Sequence, residues 1–227
     1  MLKVWGRRNS INVQKVMWMV GELGLAHEHI DAGGRFGGLD TEEFTAMNPN
    51  RRIPVIDDDI DGGGTIVWES HSIVRYLAAK YGAGTFWPTD PGERAKSDMW
   101  MDWTLADLQP AFIGVFWNLY RTPEEQRNWK AIRQGIARSA ILFKMLDKHL
   151  EDKPFVGGPS LTIADIPTPR DALAAEIKSL LEAAAFDNQP IKEQQEDQLV
   201  RRARGIIDRV ADLAHDEHDR GHDHDRH

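Results

Sequence analysis

The chain has 227 residues, 28 Lys and Arg against 36 Asp and Glu, and a formal net charge of −8. An acidic surface repels phosphates, so this balance argues against a nucleic-acid partner. No apolar run reaches the roughly 18 residues that a membrane helix needs, so we expect no membrane partner. The absence of cysteine excludes disulfides, thiolate metal sites and a cysteine nucleophile. Met1 is followed by no signal-peptide pattern, and we therefore expect a cytoplasmic protein.

The first part of the chain alternates strand-like and helix-like patterns. Residues 2–5 form a short apolar run that is typical of a strand. Ser10 then precedes a helical stripe of apolar residues, and Gly24 stands where a glycine that ends a helix belongs. Residues 27–30 predict the next strand, which completes a β-α-β unit.

A second set of elements follows a connector. Residues 53–56 predict a strand, residues 57–64 a turn, and residues 65–68 the returning strand of a hairpin. Glu69 and Ser70 then open a helix. The order β-α-β, connector, β-β-α predicts a thioredoxin-like fold.

The second half of the chain changes in character. Long helical patterns cover residues 92–120 and 123–150, and we expect an α/β domain followed by an all-α domain. The last residues are almost entirely His, Asp, Glu and Arg, which have nothing to bury, and we assign them no metal site. The predicted organisation is a thioredoxin-like domain over 1–81, a linker over 82–91, an all-helical domain over 92–214 and a disordered tail over 215–227.

Four short segments have an order and spacing that one protein family also shows. They are residues 9–16 closed by 22–25, residues 48–49 leading to 53–55, residues 68–70 followed by 73–77, and residues 162–166. Together they resemble the bacterial cytosolic glutathione S-transferases of the serine-type, theta- or nu-like branches. The resemblance implies glutathione as cosubstrate, a small hydrophobic electrophile as second substrate, no metal, a homodimer and a role in detoxification.

The resemblance places one part of the glutathione site at the start of the helix after residue 68. Ser70 sits at a predicted helix N-terminus, where free N–H groups and the helix dipole favour the γ-glutamyl carboxylate. The family role of Glu69 is to orient this loop and to help hold the ammonium end of the ligand. The alternative is that Ser70 is only an N-cap.

A proline-containing strand supplies the next part. The resemblance implies a cis bond between Ile53 and Pro54, which turns the backbone N–H and C=O of Ile53 outward to pair with the cysteinyl backbone of glutathione. Arg52 is the candidate for the glycine carboxylate, and Arg51 replaces a glycine that the family usually has. A trans proline on an edge strand and two solvated arginines are the alternatives.

The chemical hypothesis concerns the glutathione thiol. A free cysteine thiol titrates near ~8.5, so a donor to sulfur beside a helix N-terminus is needed to favour the thiolate. Ser10 fits that position, and the amide of Asn12 is the rival donor; either could instead be an N-cap. No tyrosine lies near this helix, and the chain has no cysteine, so the tyrosine-type and cysteine-type branches are excluded.

Further candidates lie in the helical half. Trp117 and Tyr120 are the predicted residues of the pocket for the electrophile. Thr162 and Asp165 have the spacing of a reciprocal capping motif, to which we assign no chemistry. After Thr168 the family pattern fades into an aromatic-poor stretch.

Three classes of function remain compatible with these residues. The first is conjugation of glutathione to an electrophile. The second is glutathione-dependent reduction, dehalogenation or isomerisation, and the third is a non-catalytic binding protein. Fold alone does not choose between them. The presence of a candidate thiolate donor favours an enzyme, because a binding module has less need of one.

Overall fold

The computed structural model describes residues 1–168, apart from the side chain of Tyr120. The remainder of the predicted helical domain and the predicted tail over 215–227 lie outside the described residues. The chain divides into a first compact unit, Met1–Met101 with Ser160–Pro167, and a second that includes Asp102–Pro159. The domain boundaries that the sequence suggests at 81 and 92 stay predictions. The elements are β1 (Leu2–Trp5), α1 (Ile11–Glu22), β2 (His27–Ile30), α2 (Glu42–Met47), β3 (Val55–Asp58), β4 (Thr65–Trp68), α3 (Ser70–Tyr81), α4 (Pro91–Trp103), α5 (Gln109–Phe116) and α6 (Trp129–Leu150).

A four-stranded mixed sheet organises the first unit. The strand order is β2-β1-β3-β4, in which β1 runs parallel to β2 and antiparallel to β3, and β3 pairs antiparallel with β4. In this register Trp5 lies opposite both Ile30 and Val55, and Val55 lies opposite Trp68. This topology confirms the predicted thioredoxin-like domain.

The two faces of the sheet bury different helices, because alternate strand residues point to opposite faces. Leu2, Val4 and Ile56 pack with α1 and α3 in one hydrophobic cluster. Val55 instead joins Phe44 of α2 in a second cluster. The start of α3 and the start of α1 therefore belong to the same layer. The helix residues fully buried in that layer are Val16, Met19, Ile73, Val74, Leu77 and Ala78.

The predicted end of α1 is confirmed in detail. Gly24 has a φ of 62°, the left-handed conformation in which glycine is favoured. The Leu25 N–H donates to the Val20 carbonyl at 3.0 Å, and the Gly24 N–H donates to the Gly21 carbonyl at 2.9 Å. The chain is therefore turned directly into β2.

The connector contains a helix that the sequence pattern did not reveal. α2 has only six residues, too few for a hydrophobic period to be recognised. Its signal is local: the Thr41 hydroxyl accepts a hydrogen bond from the Phe44 N–H at 3.2 Å, and Glu42 and Glu43 occupy the first turn.

The second unit is helical, which confirms the predicted fold class. The helix expected over 92–120 is interrupted by two π-helical turns, Thr104–Leu108 and Trp117–Arg121. The next helix, α6, begins at Trp129 rather than at Pro123, because the Asn128 side chain caps the Ala131 N–H at 3.0 Å. None of the helices in residues 1–168 is long and apolar enough to cross a membrane.

The strand β3 covers Val55–Asp58 rather than the predicted 53–56, so it extends two residues into the predicted turn over 57–64. Asp58 is 2% exposed and pairs with Leu2 in the sheet. Its carboxylate accepts hydrogen bonds from Tyr76 and Tyr81 at 2.8 Å and from Lys80 at 3.0 Å. Burial alone would raise the pKa of Asp58, but these hydrogen bonds outweigh it and hold the pKa below its usual value.

This network predicts that Asp58 stabilises the first unit strongly. Asp58→Ala should lower the free energy of unfolding by about 3 kcal/mol, because it leaves three side chains and the Ile60 N–H without their shared acceptor. Asp61→Ala is the matched control, since Asp61 pairs with the same Lys80 at 2.9 Å but its side chain is 69% exposed. Asp61→Ala should lower the free energy of unfolding by less than about 1 kcal/mol. Equal losses in urea denaturation would contradict this account of Asp58.

Candidate active site

Two helices of the first unit begin with amide groups that no helical carbonyl accepts. In α1 the Gln14 N–H is the first to bond back, to the Ser10 carbonyl at 2.9 Å. In α3 the Ile73 N–H is the first, to the Glu69 carbonyl at 2.9 Å. The preceding N–H groups of both helices are oriented outward with the positive end of the helix dipole, an arrangement suited to anions.

Ser10 occupies the N-cap position of α1 but does not cap it with its side chain. Its backbone is extended, with φ −92° and ψ 120°, and its hydroxyl makes no capping hydrogen bond. The side chain is nevertheless 9% exposed, so little of it reaches solvent. The hydroxyl is therefore a mostly buried donor that remains available at the start of a helix.

Asn12 lies in the first turn of α1 and is half-buried. Its Oδ1 accepts a hydrogen bond from Lys15 Nζ at 3.1 Å. Lys15 Nζ also lies 3.2 Å from His71 Nε2 in the first turn of α3. The structure thus joins the two helix starts through one lysine, and it brings Asn12 close to the residue that follows Ser70.

The start of α3 has an unusual backbone. Glu69 is the N-cap residue with φ 70° and ψ 113°, a conformation that side chains other than glycine seldom adopt. Such strain costs about 1–3 kcal/mol and is concentrated at ligand sites. Ser70 is 6% exposed and, within residues 1–168, no hydrogen bond engages its hydroxyl.

The bond between Ile53 and Pro54 is cis, as predicted. Ile53 is half-buried, and its N–H and C=O make no hydrogen bond with other described residues. A loop hydrogen bond supports the approach to this strand, because Asn48 Nδ2 donates to the Arg52 carbonyl at 2.8 Å. Ile53 therefore presents a free peptide edge of the kind that an extended ligand can pair with.

Gly6 explains how Ile53 comes close to α1. A Cβ at Gly6 would collide with Val13 Cγ2 of α1 and would lie 3.4 Å from Ile53 Cβ. Gly6 has a φ of 155°, in the left-handed half of backbone space that also favours glycine. The absence of a side chain there allows the proline strand and the first turn of α1 to approach each other.

The two arginines beside this strand are both exposed. Arg51, at the position where the resemblance expects glycine, has a φ of 53°. That left-handed conformation is the physical reason for a glycine preference. No hydrogen bond among the described residues links the Arg52 side chain to the other candidates. Its proposed contact with the glycine carboxylate therefore stays a prediction.

The remaining candidates are the predicted pocket residues and the capping motif. Trp117 lies in the second unit, and 55% of its surface is exposed. The side chain of Tyr120 is outside the described residues. The capping motif is confirmed: Asp165 Oδ2 accepts from the Thr162 N–H at 3.0 Å, and Thr162 Oγ1 accepts from the Ala164 N–H at 3.2 Å. No group of three or more His, Asp or Glu that could hold a metal ion occurs in residues 1–168.

Sequence reasoning missed Lys15 and His71. Both are almost completely buried, at 6% and 4% exposure. Burial lowers the pKa of Lys15 to about 8, because the charged ammonium loses its hydration. The sequence gives no clear signal for either residue, because Lys15 falls between the stripe positions Val13 and Val16, where an exposed lysine is ordinary.

Comparison with known proteins identifies the family. The family model "Glutathione S-transferase, N-terminal domain" matches residues 9–80. The Escherichia coli K12 protein named glutathione S-transferase GstB is 41% identical over 166 residues, which is 73% of this chain and 79% of that protein. This chain belongs to the glutathione S-transferase family.

Some relatives of this chain are named oxidoreductases rather than transferases. Disulfide-bond oxidoreductase YfcG of E. coli K12 is 31% identical over 158 residues, which is 68% of this chain and 72% of that protein. Among solved structures, a theta class glutathione S-transferase from Xanthomonas axonopodis pv. citri with glutathione bound is 34% identical. It has a TM-score of 0.68 and covers 92% of this chain and 95% of its own.

The lowered pKa of Lys15 predicts a pH dependence of stability. Lysine titrates at 10.5 when exposed and at about 8 in this fold, so between these values the unfolded chain binds more protons than the folded one. The free energy of unfolding should therefore rise as the pH is raised through this window. It should rise less in Lys15→Met.

Urea denaturation at several pH values measures how steeply the free energy of unfolding rises with pH in the unchanged protein and in Lys15→Met. Lys96→Met is the matched control, because the Lys96 side chain is 61% exposed, and its slope should equal that of the unchanged protein. Parallel slopes for Lys15→Met and Lys96→Met would contradict the prediction.

Proposed function

We propose that this family member is a glutathione transferase whose glutathione site lies at the starts of α1 and α3. One observation carries the proposal: Ser10, Asn12 and Ser70 each have a hydrogen-bond donor that no described residue uses. All three lie at the starts of α1 and α3, which are joined through Lys15. Glutathione combines two carboxylates with a thiol. Outward N–H groups and free side-chain donors are what those groups need.

Each end of glutathione has a proposed partner. Ser70 and the first amides of α3 receive the γ-glutamyl carboxylate, and Glu69 receives the ammonium group. The free peptide edge of Ile53, held by the bond to Pro54, pairs with the cysteinyl backbone. Arg52 is the proposed partner of the glycine carboxylate.

The chemistry requires no nucleophile from the protein. Ser10 or Asn12 donates a hydrogen bond to sulfur, and with the start of α1 this favours the thiolate over the thiol. The thiol proton passes to solvent, and the thiolate forms a C–S bond to a small hydrophobic electrophile as the leaving group of the electrophile departs with the bonding pair. Trp117 and Tyr120 remain the proposed pocket residues for the electrophile. Stabilising the thiolate and holding both reactants together supply the rate.

A glutathione-dependent reductase is the second candidate function. It is favoured by the relatives named disulfide-bond oxidoreductases, which are 31% and 34% identical to this chain. Conjugation is the first choice because the relative named glutathione S-transferase is 41% identical. Parallel assays with a generic aromatic electrophile and with a small disulfide distinguish the two activities. Activity in neither assay, with glutathione still bound, would leave a binding protein. The cytoplasmic location stays a prediction from the sequence.

Replacement of Ser70 tests the proposed binding site. Ser70→Ala should weaken glutathione binding by about 1.5 kcal/mol, roughly tenfold, because a hydrogen bond to a charged carboxylate is lost. Calorimetry measures the change. Ser72→Ala is the control, since Ser72 lies in the same turn of α3 but is exposed, and its affinity should be unchanged. Unchanged affinity in Ser70→Ala would remove Ser70 from the site.

We also propose that the protein is a homodimer in which the first domain of one subunit meets the second domain of its partner. Apolar side chains are exposed in the first unit, among them Ile66 at 42% and Met99 at 63%. Light scattering at micromolar concentration should give about twice 25.8 kDa. Ile66→Glu should reduce that mass, whereas Ile60→Glu, at 39% exposure in the turn between β3 and β4, should not. A mass near that of one chain for the unchanged protein would refute the dimer.

A further inference from the structure

We propose that Lys15 is a positioning residue, whose buried ammonium holds the Asn12 amide so that its Nδ2 group is presented to the sulfur of bound glutathione. The inference rests on the proposed function and extends it. It assigns the thiolate-stabilising hydrogen bond to Asn12 and gives a role to a lysine outside the ligand's direct contacts.

The first step is the orientation of the amide. A lysine ammonium can donate hydrogen bonds but cannot accept them, so the Asn12 atom that faces Lys15 Nζ at 3.1 Å must be the oxygen. The planar amide then places Nδ2, which carries two donors, on its other side. Within residues 1–168 these donors have no acceptor. Asn12 is half-buried, so its free end remains accessible to a ligand.

The second step is the fixation of Lys15 itself. Its Nζ lies 3.2 Å from His71 Nε2, which must accept the hydrogen bond when the lysine is charged. The ammonium is therefore hydrogen-bonded to both helices, in the first turn of α1 and in the first turn of α3. A side chain bound in this way cannot swing out to solvent, and it restricts the Asn12 amide to one orientation.

The third step is the electrostatic cost of this arrangement. Among the described residues no carboxylate lies within ion-pair distance of Lys15 Nζ. The starts of α1 and α3 add the positive ends of two helix dipoles, so the surroundings oppose a cation. Burial lowers the pKa of Lys15 to about 8, yet the charged form still predominates at neutral pH. A cation in such surroundings is offset when an anion binds nearby, as a glutathione thiolate would.

The two candidate donors differ in how firmly the protein orients them. The Ser10 hydroxyl has no partner among the described residues that would fix its rotation. The Asn12 amide is oriented before the ligand arrives, and a donor that needs no reorganisation stabilises developing or existing charge most effectively. Asn12 is therefore the catalytic donor, and Lys15 acts through it.

The experiment measures the titration of the bound thiol by ultraviolet difference absorbance, together with kcat and KM for glutathione. Lys15→Met keeps the length of the side chain but removes the charge and the donor. It should raise the pKa of the bound thiol by about one unit, a tenfold change in the equilibrium, and lower kcat at neutral pH by about tenfold. Asn12→Ala should reproduce this shift, and the double variant should add little to it. Lys15→Arg should recover most of the loss.

Two controls separate a positioning role from a structural one. Lys80→Met removes a cation at the far end of α3 that serves Asp58, so it should lower the melting temperature without moving the thiol titration. Ser10→Ala should move the titration less than Asn12→Ala does. If Lys15→Met loses stability but leaves the thiol pKa unchanged, or if Ser10→Ala alone moves it, the inference is overturned. Should Lys15→Met not fold, Asn12→Ala and Lys15→Arg still decide between these outcomes.

Measurements on the unchanged protein distinguish failure of the Lys15 proposal from failure of the proposed function. If it binds no glutathione, or binds it with the thiol titrating as in solution, the proposed thiolate chemistry is refuted before any variant is considered. If it binds glutathione with a lowered thiol pKa, only the response of Asn12 and Lys15 decides the further inference.

Discussion

The packing of α1 against α3 on one face of the sheet is the constraint on which the rest of the first unit depends. Val16 and Met19 of α1 share a fully buried cluster with Ile73 and Leu77 of α3. Because this packing brings the two helices together along their lengths, their first turns also meet, which the lysine bridge to His71 shows at 3.2 Å. Two sets of outward amide groups are thereby concentrated in one region, where a ligand with several charged groups can bind.

Two buried charges in this unit illustrate opposite solutions to the same physical problem. Asp58 accepts hydrogen bonds from three side chains and from the Ile60 N–H, so its charge is satisfied by the protein and its pKa falls despite burial. Lys15 has an amide oxygen and an imidazole nitrogen as its partners, and burial lowers its pKa. The first arrangement stabilises the fold. The second is unfavourable for the free protein, and an anion bound nearby would offset its cost, which is the property expected of a binding site.

Fold and family membership narrow the chemistry without deciding it. The relatives at 41% and 31% identity carry the names of a transferase and of an oxidoreductase, although both align with about 70% of this chain. What distinguishes such activities is the state of the glutathione sulfur and the group placed beside it. In this chain the two proposed donors to that sulfur are Ser10 and Asn12, and Lys15 donates a hydrogen bond to the Asn12 amide oxygen.

The sequence by itself determined the elements whose signals are local. The cap at Gly24, the reciprocal motif of Thr162 and Asp165, and the strands over residues 2–5 and 27–30 follow from neighbouring residues, so they could be predicted without a structure. The candidate donors Ser10 and Ser70 were likewise predicted from their places before helices.

Only the tertiary structure decided which polar groups meet across the chain. Asp58 looked like a turn residue, yet it extends β3, because donors 18 to 23 residues later surround its carboxylate. Lys15 was not singled out in the sequence, because its partner His71 lies 56 residues away. Local patterns report the period and the ends of an element, whereas the partners of a buried charge are set by how those elements pack, and packing is a property of the whole unit.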